Sequence, residues 1–323
     1  MIEKSSRSLK ERVNDIKAEY KFEYLYAIDL SSLENIISIS GDKDKLYVSS
    51  SGIARGDTFS NGKIYCVNLK DKGHIEEIVS GINNRISLPI CFVAKKNWII
   101  YGEIDNQGGY LLGKYDIISR QKEVFYHSDK NIIQYAACIK EIDGFIFVSD
   151  IFKHSIKKFN LEGELQQELT DCNGFEFPRD IEKVDEENVI ISFDNEISRK
   201  YRPDLSKGQP LLQTHFAKWN HVDNKFVPLN FSLDIIMHSI ANTGGNYFLG
   251  MFDSVSCVPI VAKVNKNLEI IFYEKLSDIY AKSVGVKKPL IGTSQVNFIE
   301  DKLFIAEVVH GNSRKILVFD VGK

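Results

Sequence analysis

The sequence predicts an all-β fold, a six-bladed propeller of four-stranded antiparallel blades, and three observations predict it. Short runs rich in β-branched and aromatic residues recur along the chain, they follow one order with turns between them, and the two ends of the chain complement each other. The most alike of these runs are KLYVSS near 45–50, WIIYGE near 98–103, FIFVSD near 145–150, VIISFD near 189–194, YFLGMFD near 247–253 and LFIAEV near 303–308. Their spacing of roughly 45–55 residues is within reach of the repeats that form propeller blades.

Each of these runs is the second of four. Ahead of it lies another apolar stretch, ENIISIS, ISLPICFVA, IIQYAACIKEI, FEFPRDIEKV, DIIMHSIAN or TSQVNFIED, separated by a turn such as EIDGF or VDEENV. After it, across a loop, comes KIYCVNLK, LLGKYDI, SIKKFNL, ISRKYRPD, IVAKVNK or KILVFDV. Turn residues follow (LEG at 161–163, RPD at 202–204, NKN at 265–267) and lead to fourth strands such as ELQQELT and LEIIFYEKL. Such a sheet repeated around an axis is a propeller. The last run, at 315–321, is a third strand with only two residues after it. Its blade would keep a raw edge, which folds avoid. KFEYLYAIDL at 21–30 precedes the first unit and can supply the missing fourth strand.

Three stretches break the rhythm. Over residues 1–20, Leu9, Val13 and Ile16 recur at helical spacing and predict an N-terminal helix outside the ring. Residues 21–323 then form one propeller domain. A long joint at about 205–232, holding His215, Phe216, Trp219 and His221, is expected to cap one end of the central channel. At 274–289, Leu276, Ile279 and Tyr280 predict a second short helix.

The bulk numbers exclude several function classes. At 323 residues, 43% hydrophobic and 26% charged, the chain is ordinary for a globular protein. A net charge of −3 argues against a nucleic-acid or anionic-membrane footprint. No apolar run reaches the roughly 18 residues of a membrane span, and MIEKSSRSLKERVNDIKAEY lacks the apolar core of a secretory signal. The five cysteines are odd in number and lack a CxxC pair, so a reducing, cytoplasmic setting is expected, provided no signal preceded the numbering. The chain is expected to act as a monomer.

GFEFPRDI at 174–181 resembles the opening of an NHL repeat, and IFVSDIFKHSIKKFNLEGEL resembles the rest of one, with its order of strand, Asp, loop, His and strand. The match is good in blade three and partial in blades four and six. The resemblance implies a member of the NHL-like, TolB-like and SMP-30-like group of six-bladed propellers. That group spans interaction modules and enzymes such as lactonases, strictosidine-synthase-like proteins and amidating lyases, so it leaves function open.

In this group ligands lie at the channel mouth, near the starts of the innermost strands. Strand alternation nominates a ring there: Gln134 and Tyr135, Arg179 and Asp180, His238 and Ser239, Ser294 and Gln295. Asp180 and His238 come from adjacent blades, and a carboxylate beside an imidazole makes a general base. Arg179 fits a carboxylate or phosphate. Trp219 would belong to the cap. No cofactor is predicted; the alternative is a single calcium or zinc ion in the channel, with Asp180 as its carboxylate. His238 and Ser294 stand where the lactonase-like relatives would need acids or amides, and His238 alone stands where amidating lyases need several histidines. Asp150 falls at the end of a second strand, as Asp194, Asp253 and Glu307 do, and is read as a loop fastener, with His154 at the NHL-type position.

Two readings follow. One is a module binding a small polar ligand or peptide at the mouth. The other is a hydrolase, lyase or cyclase using the same pocket. A covered pocket with Asp180 and His238 in hydrogen-bond reach favours the enzyme; a wet channel favours binding.

Overall fold

The computed structural model describes residues 23–321, except 34–35, 51–52, 56–57, 72–73, 86–90, 106, 128–132, 195–213, 234, 254–257, 286–292 and 309–314. Six antiparallel sheets follow one another along the chain. Blade one is β2 (Ile36–Asp42), β3 (Lys45–Ser50), β5 (Thr58–Asn68) and β6 (Ile75–Arg85), with the short β4 (Ile53–Arg55) on the far end of β5. Blade two is β7 (Phe92–Lys95), β8 (Trp98–Ile104), β9 (Tyr110–Asp116) and β10 (Gln121–His127). Blade three is β11 (Ala136–Ile142), β12 (Phe145–Asp150), β13 (Ser155–Phe159) and β14 (Leu165–Leu169). Blade four is β15 (Pro178–Lys183), β16 (Asn188–Asp194), β17 (Thr214–Asn220) and β18 (Lys225–Leu233). Blade five is β19 (Ile236–Asn242), β20 (Asn246–Asp253), β21 (Val258–Asn265) and β22 (Ile270–Lys275). Blade six is β23 (Thr293–Ile299), β24 (Lys302–Val308) and β25 (Lys315–Asp320), completed by β1 (Glu23–Asp29), which pairs with β25 from Glu23↔Asp320 to Asp29↔Lys315. The chain ends therefore close the ring, removing the edge that the sequence left open.

The core is distributed between blades rather than held in one mass. Six apolar clusters each bridge one interface, from Tyr47 and Tyr101 between blades one and two to Ile28, Val48 and Phe304 between blades six and one. The innermost strands approach closely: a Cβ on Gly41 of β2 would lie 2.1 Å from Ile299 Cδ1 of β23, so a larger residue there requires the Ile299 side chain to shift. The helix expected at 274–289 is α1 (Leu276–Val284), whose Leu276, Ile279 and Tyr280 pack into the interface between blades five and six. It ends on Gly285 in the left-handed conformation.

Blade four corrects the sequence reading. The stretch expected to cap the channel supplies, from Thr214 onward, β17 and β18, and β17 rather than 197–204 is the blade's third strand. Residues 197–213 and the N-terminal helix expected over 1–20 lie outside the described residues. Trp219 is fully buried between blades three and four, edge-on to Phe147 at 6.0 Å, with its indole N–H donated to Asn224 Oδ1 at 3.0 Å. The alternation in THFAKWN is that of a half-buried strand, and its lack of turn-flanked symmetry with the other blades hid it.

Trp219→Ala is expected to cost about 3–5 kcal/mol of stability, measured by urea unfolding. A lid tryptophan would leave the midpoint unchanged.

Candidate functional site in the central channel

The six innermost strands share one local pattern. A polar residue or cysteine precedes an apolar one in Ser38–Ile39, Cys91–Phe92, Cys138–Ile139, Asp180–Ile181, Ser239–Ile240 and Gln295–Val296. Every innermost strand has one edge paired to its own blade and one edge facing the channel, where backbone N–H groups lack a sheet partner. Side chains of the neighbouring blade fill that need. The Ile39 amide donates to Gln295 Oε1 at 2.6 Å, the Ile240 amide to Asp180 Oδ2 at 2.5 Å and the Val296 amide to Ser239 Oγ at 2.9 Å. The Ala94 amide donates to Ser40 Oγ at 3.1 Å, and the Ile139 amide is directed at the Cys91 sulfur. Between blades three and four the Cys138 thiol donates to Asp180 Oδ1 at 2.8 Å, and that oxygen also takes the Ile181 amide at 2.9 Å. All six junctions are thus joined by polar contacts on the channel wall.

This circuit engages Asp180, one member of the expected catalytic pair. Both oxygens of Asp180 are engaged by Cys138, Ile181 and Ile240, and its nearest cation is Lys140 at 3.6 Å. His238 faces Arg179 instead. Burial, and then the Arg179 charge, push the His238 imidazole down to about 3, so it is neutral near pH 7. A general base works best with a pKa near the operating pH, which His238 does not have. Ser239 and Gln295, expected to touch ligand, hold amides of the next blade. Ser294 lies on β23 opposite Glu307, and its side chain lies outside the described residues.

Arg179 and His238 lie one residue nearer the channel entrance than the ring. Their strands carry an irregularity there: β15 slips against β16 between Pro178 and Ile181, and β19 slips against β20 between Met237 and Ser239. The same one-residue slip stands in β2 between Ile36 and Ser38 and in β11 between Ala136 and Cys138, so the extra residue is a shared feature of these inner strands that re-aims a side chain just outside the ring. Arg179 donates from Nε to Asp194 Oδ2 at 2.6 Å; burial opposes its charge, and Asp194 more than offsets that.

Gln134 and Tyr135 lie four and three residues ahead of the ring position Cys138, in the segment entering β11. Asp150 fastens that segment, accepting the Gln134 amide at 2.9 Å and the Tyr135 amide at 3.1 Å, with Lys157 Nζ at 3.4 Å as its buried counter-charge. Gln134 is exposed, while Tyr135 is buried, edge-on to Tyr110 and tilted against Phe152. His154 Nδ1 accepts the Phe177 amide at 3.2 Å, tying the loop of blade three to the start of blade four.

At the inner end, Lys140 crosses the channel. Its ammonium donates to Glu182 Oε2 and to the Ile240 carbonyl, each at 2.7 Å. Burial opposes its charge, but Asp180 and Glu182 raise its pKa overall. A cavity of about 80 Å³ remains, lined among others by Tyr135, Arg179, Asp180, His238, Ser239 and Lys140. Among the described residues no group of three or more His, Cys, Asp or Glu is assembled as a metal site.

Ser38, Cys91, Cys138 and Lys140 were absent from the sequence-based site. Aligning the six inner strands on their apolar step would have found the first three; nothing in the sequence shows where Lys140 reaches.

Comparison with solved structures agrees with this architecture. The chain is similar to a chain of a nidogen/laminin complex at 11% identity, covering 77% of this chain and 83% of that one with a TM-score of 0.51. It is similar to a chain of a mitotic checkpoint complex at 8% identity, covering 95% and 94% with a TM-score of 0.52. At such identities the likeness is one of fold. No family model matches the chain, and no curated protein matches it. Among the described residues, no helix is long and apolar enough to cross a membrane.

Ser239→Ala leaves the Val296 amide without its acceptor and is expected to cost about 1–3 kcal/mol in urea unfolding. For His238 the sign is that of a depressed pKa. Its contribution is present above the unfolded value near 6.5 and is lost as pH falls toward about 3. In urea unfolding, His238→Gln is therefore expected to be more stable than wild type at pH 4, by on the order of 1–3 kcal/mol, and to differ little from it at pH 8.

Proposed function

We propose that this protein is a binding module that takes a small polar ligand or a peptide end at the channel mouth. One observation carries the reading: the inner-strand acceptors that could have served catalysis are consumed in holding neighbouring blades together. Asp180, the carboxylate in the cavity lining, is one of them. What faces the cavity above that ring is Arg179 and a neutral imidazole, groups suited to recognition. A hydrolase, lyase or cyclase working through Asp180 and His238 would need a different arrangement of both.

The NHL-like grouping is part of this proposal. It is supported by blade three, where Asp150 fastens the loop and His154 reaches the backbone of the next blade at Phe177. A cytoplasmic setting is also proposed, supported by Cys66, Cys91, Cys138 and Cys172, which are buried and unpaired.

The test is a screen of small polar molecules in cocktails, read by backbone hydrogen–deuterium exchange. Hits are expected to slow exchange at 134–135, 150–153, 179–180 and 237–239 together. Hits that protect only other faces of the ring would overturn the mouth as the binding site. Conversion of a hit to product, abolished in Asp180→Asn with the fold intact, would favour the enzyme.

A further inference from the structure

We propose that the mouth recognises an organic carboxylate with a flat apolar body, the carboxylate against Arg179 and the body against Tyr135 and Phe152. This rests on the binding reading above and names its ligand class.

Arg179 carries the head-group assignment. Its Nε is committed to Asp194, which is almost wholly buried behind it, in a one-point contact. Among the described residues neither terminal nitrogen has a hydrogen-bond partner, although the residue lines the cavity. A guanidinium anchored at Nε, with its outer edge open, is oriented for two-point contact with a carboxylate. His238 beside it adds a neutral donor and acceptor. An amine finds no counterpart, because the lining carboxylate, Asp180, has both oxygens engaged.

The rim carries the body assignment. Phe152 is 41% exposed, and its ring lies 5.6 Å from that of Tyr135. Both sit on segments held by one carboxylate, since Asp150 accepts the amides of Gln134, Tyr135 and Lys153. The exposed face is that of Phe152, with the buried Tyr135 backing it, and a pre-ordered ring loses little freedom on binding. Lys153, exposed on the same loop, places a second positive charge at the rim. The cavity, about 80 Å³, is small beside pockets that enclose whole ligands, so it admits the head group while the body rests outside.

The test uses the intact chain and three probes: N-acetylphenylalanine, its amide, and the tripeptide N-acetyl-Gly-Gly-Phe with a free C-terminus. Calorimetric titration is expected to give at least tenfold tighter binding for the acid than for the amide. Arg179→Lys keeps a cation for Asp194 but loses the fork, and is expected to weaken the acid at least about fivefold without changing the amide. Phe152→Ala should weaken both alike, and circular dichroism checks the fold of each variant. Tripeptide binding equal to that of the single residue identifies peptide ends as the source; binding of the single residue alone identifies a small acid. Equal affinity for acid and amide would overturn the carboxylate assignment while leaving a binding mouth in place. No binding of any probe up to about 10 mM would overturn the ligand class, and the cocktail screen would then decide the binding reading by itself.

Discussion

The structure depends on how the channel-facing edge of each innermost strand is satisfied. A propeller blade solves its outer edge with its fourth strand, but its inner edge points at a narrow axial space with no room for another strand. Buried N–H groups left there would each cost on the order of 1–3 kcal/mol. This chain supplies an acceptor from the next blade: Gln295 for Ile39, Ser40 for Ala94, Asp180 for Ile240 and Ser239 for Val296. The same bonds that satisfy the backbone set the spacing and order of the blades, so local hydrogen bonding and ring closure are one constraint.

That constraint explains where function can reside. Residues at the ring position are polar and buried near the axis, which makes them look catalytic in a sequence, yet their lone pairs are occupied. Lys140 extends the same logic inward, joining β11, β15 and β19 across the channel through Glu182 and the Ile240 carbonyl. The positions free to recognise a ligand are those just outside the ring, where bulges in β15 and β19 turn Arg179 and His238 into the channel.

Much of the fold was legible in the sequence because strand alternation and turn chemistry are local. The order of four strands, the closure by residues near 21–30 and the helix near 276 all follow from spacing alone. Blade four departs from the expectation because its second and third strands are separated by a long joint, and THFAKWN rather than ISRKYRPD supplies the third strand. The candidate site was legible only as a neighbourhood. In blade three the ring position belongs to Cys138 rather than to Gln134 or Tyr135, because bulges and entry loops shift register without leaving a mark on composition. The pairing of Asp180 with Cys138 and Ile240, 42 and 60 residues away in sequence, comes from the ring geometry.

The most direct measurement is native-state amide exchange at Ile39, Ala94, Ile240 and Val296. These four amides have no strand partner on the channel side and depend on side chains from another blade. They are expected to exchange only through global unfolding, with protection equal to that of amides at the centres of β12 and β20. Exchange at these four through local opening, orders of magnitude faster while the blade interiors stay protected, would contradict that.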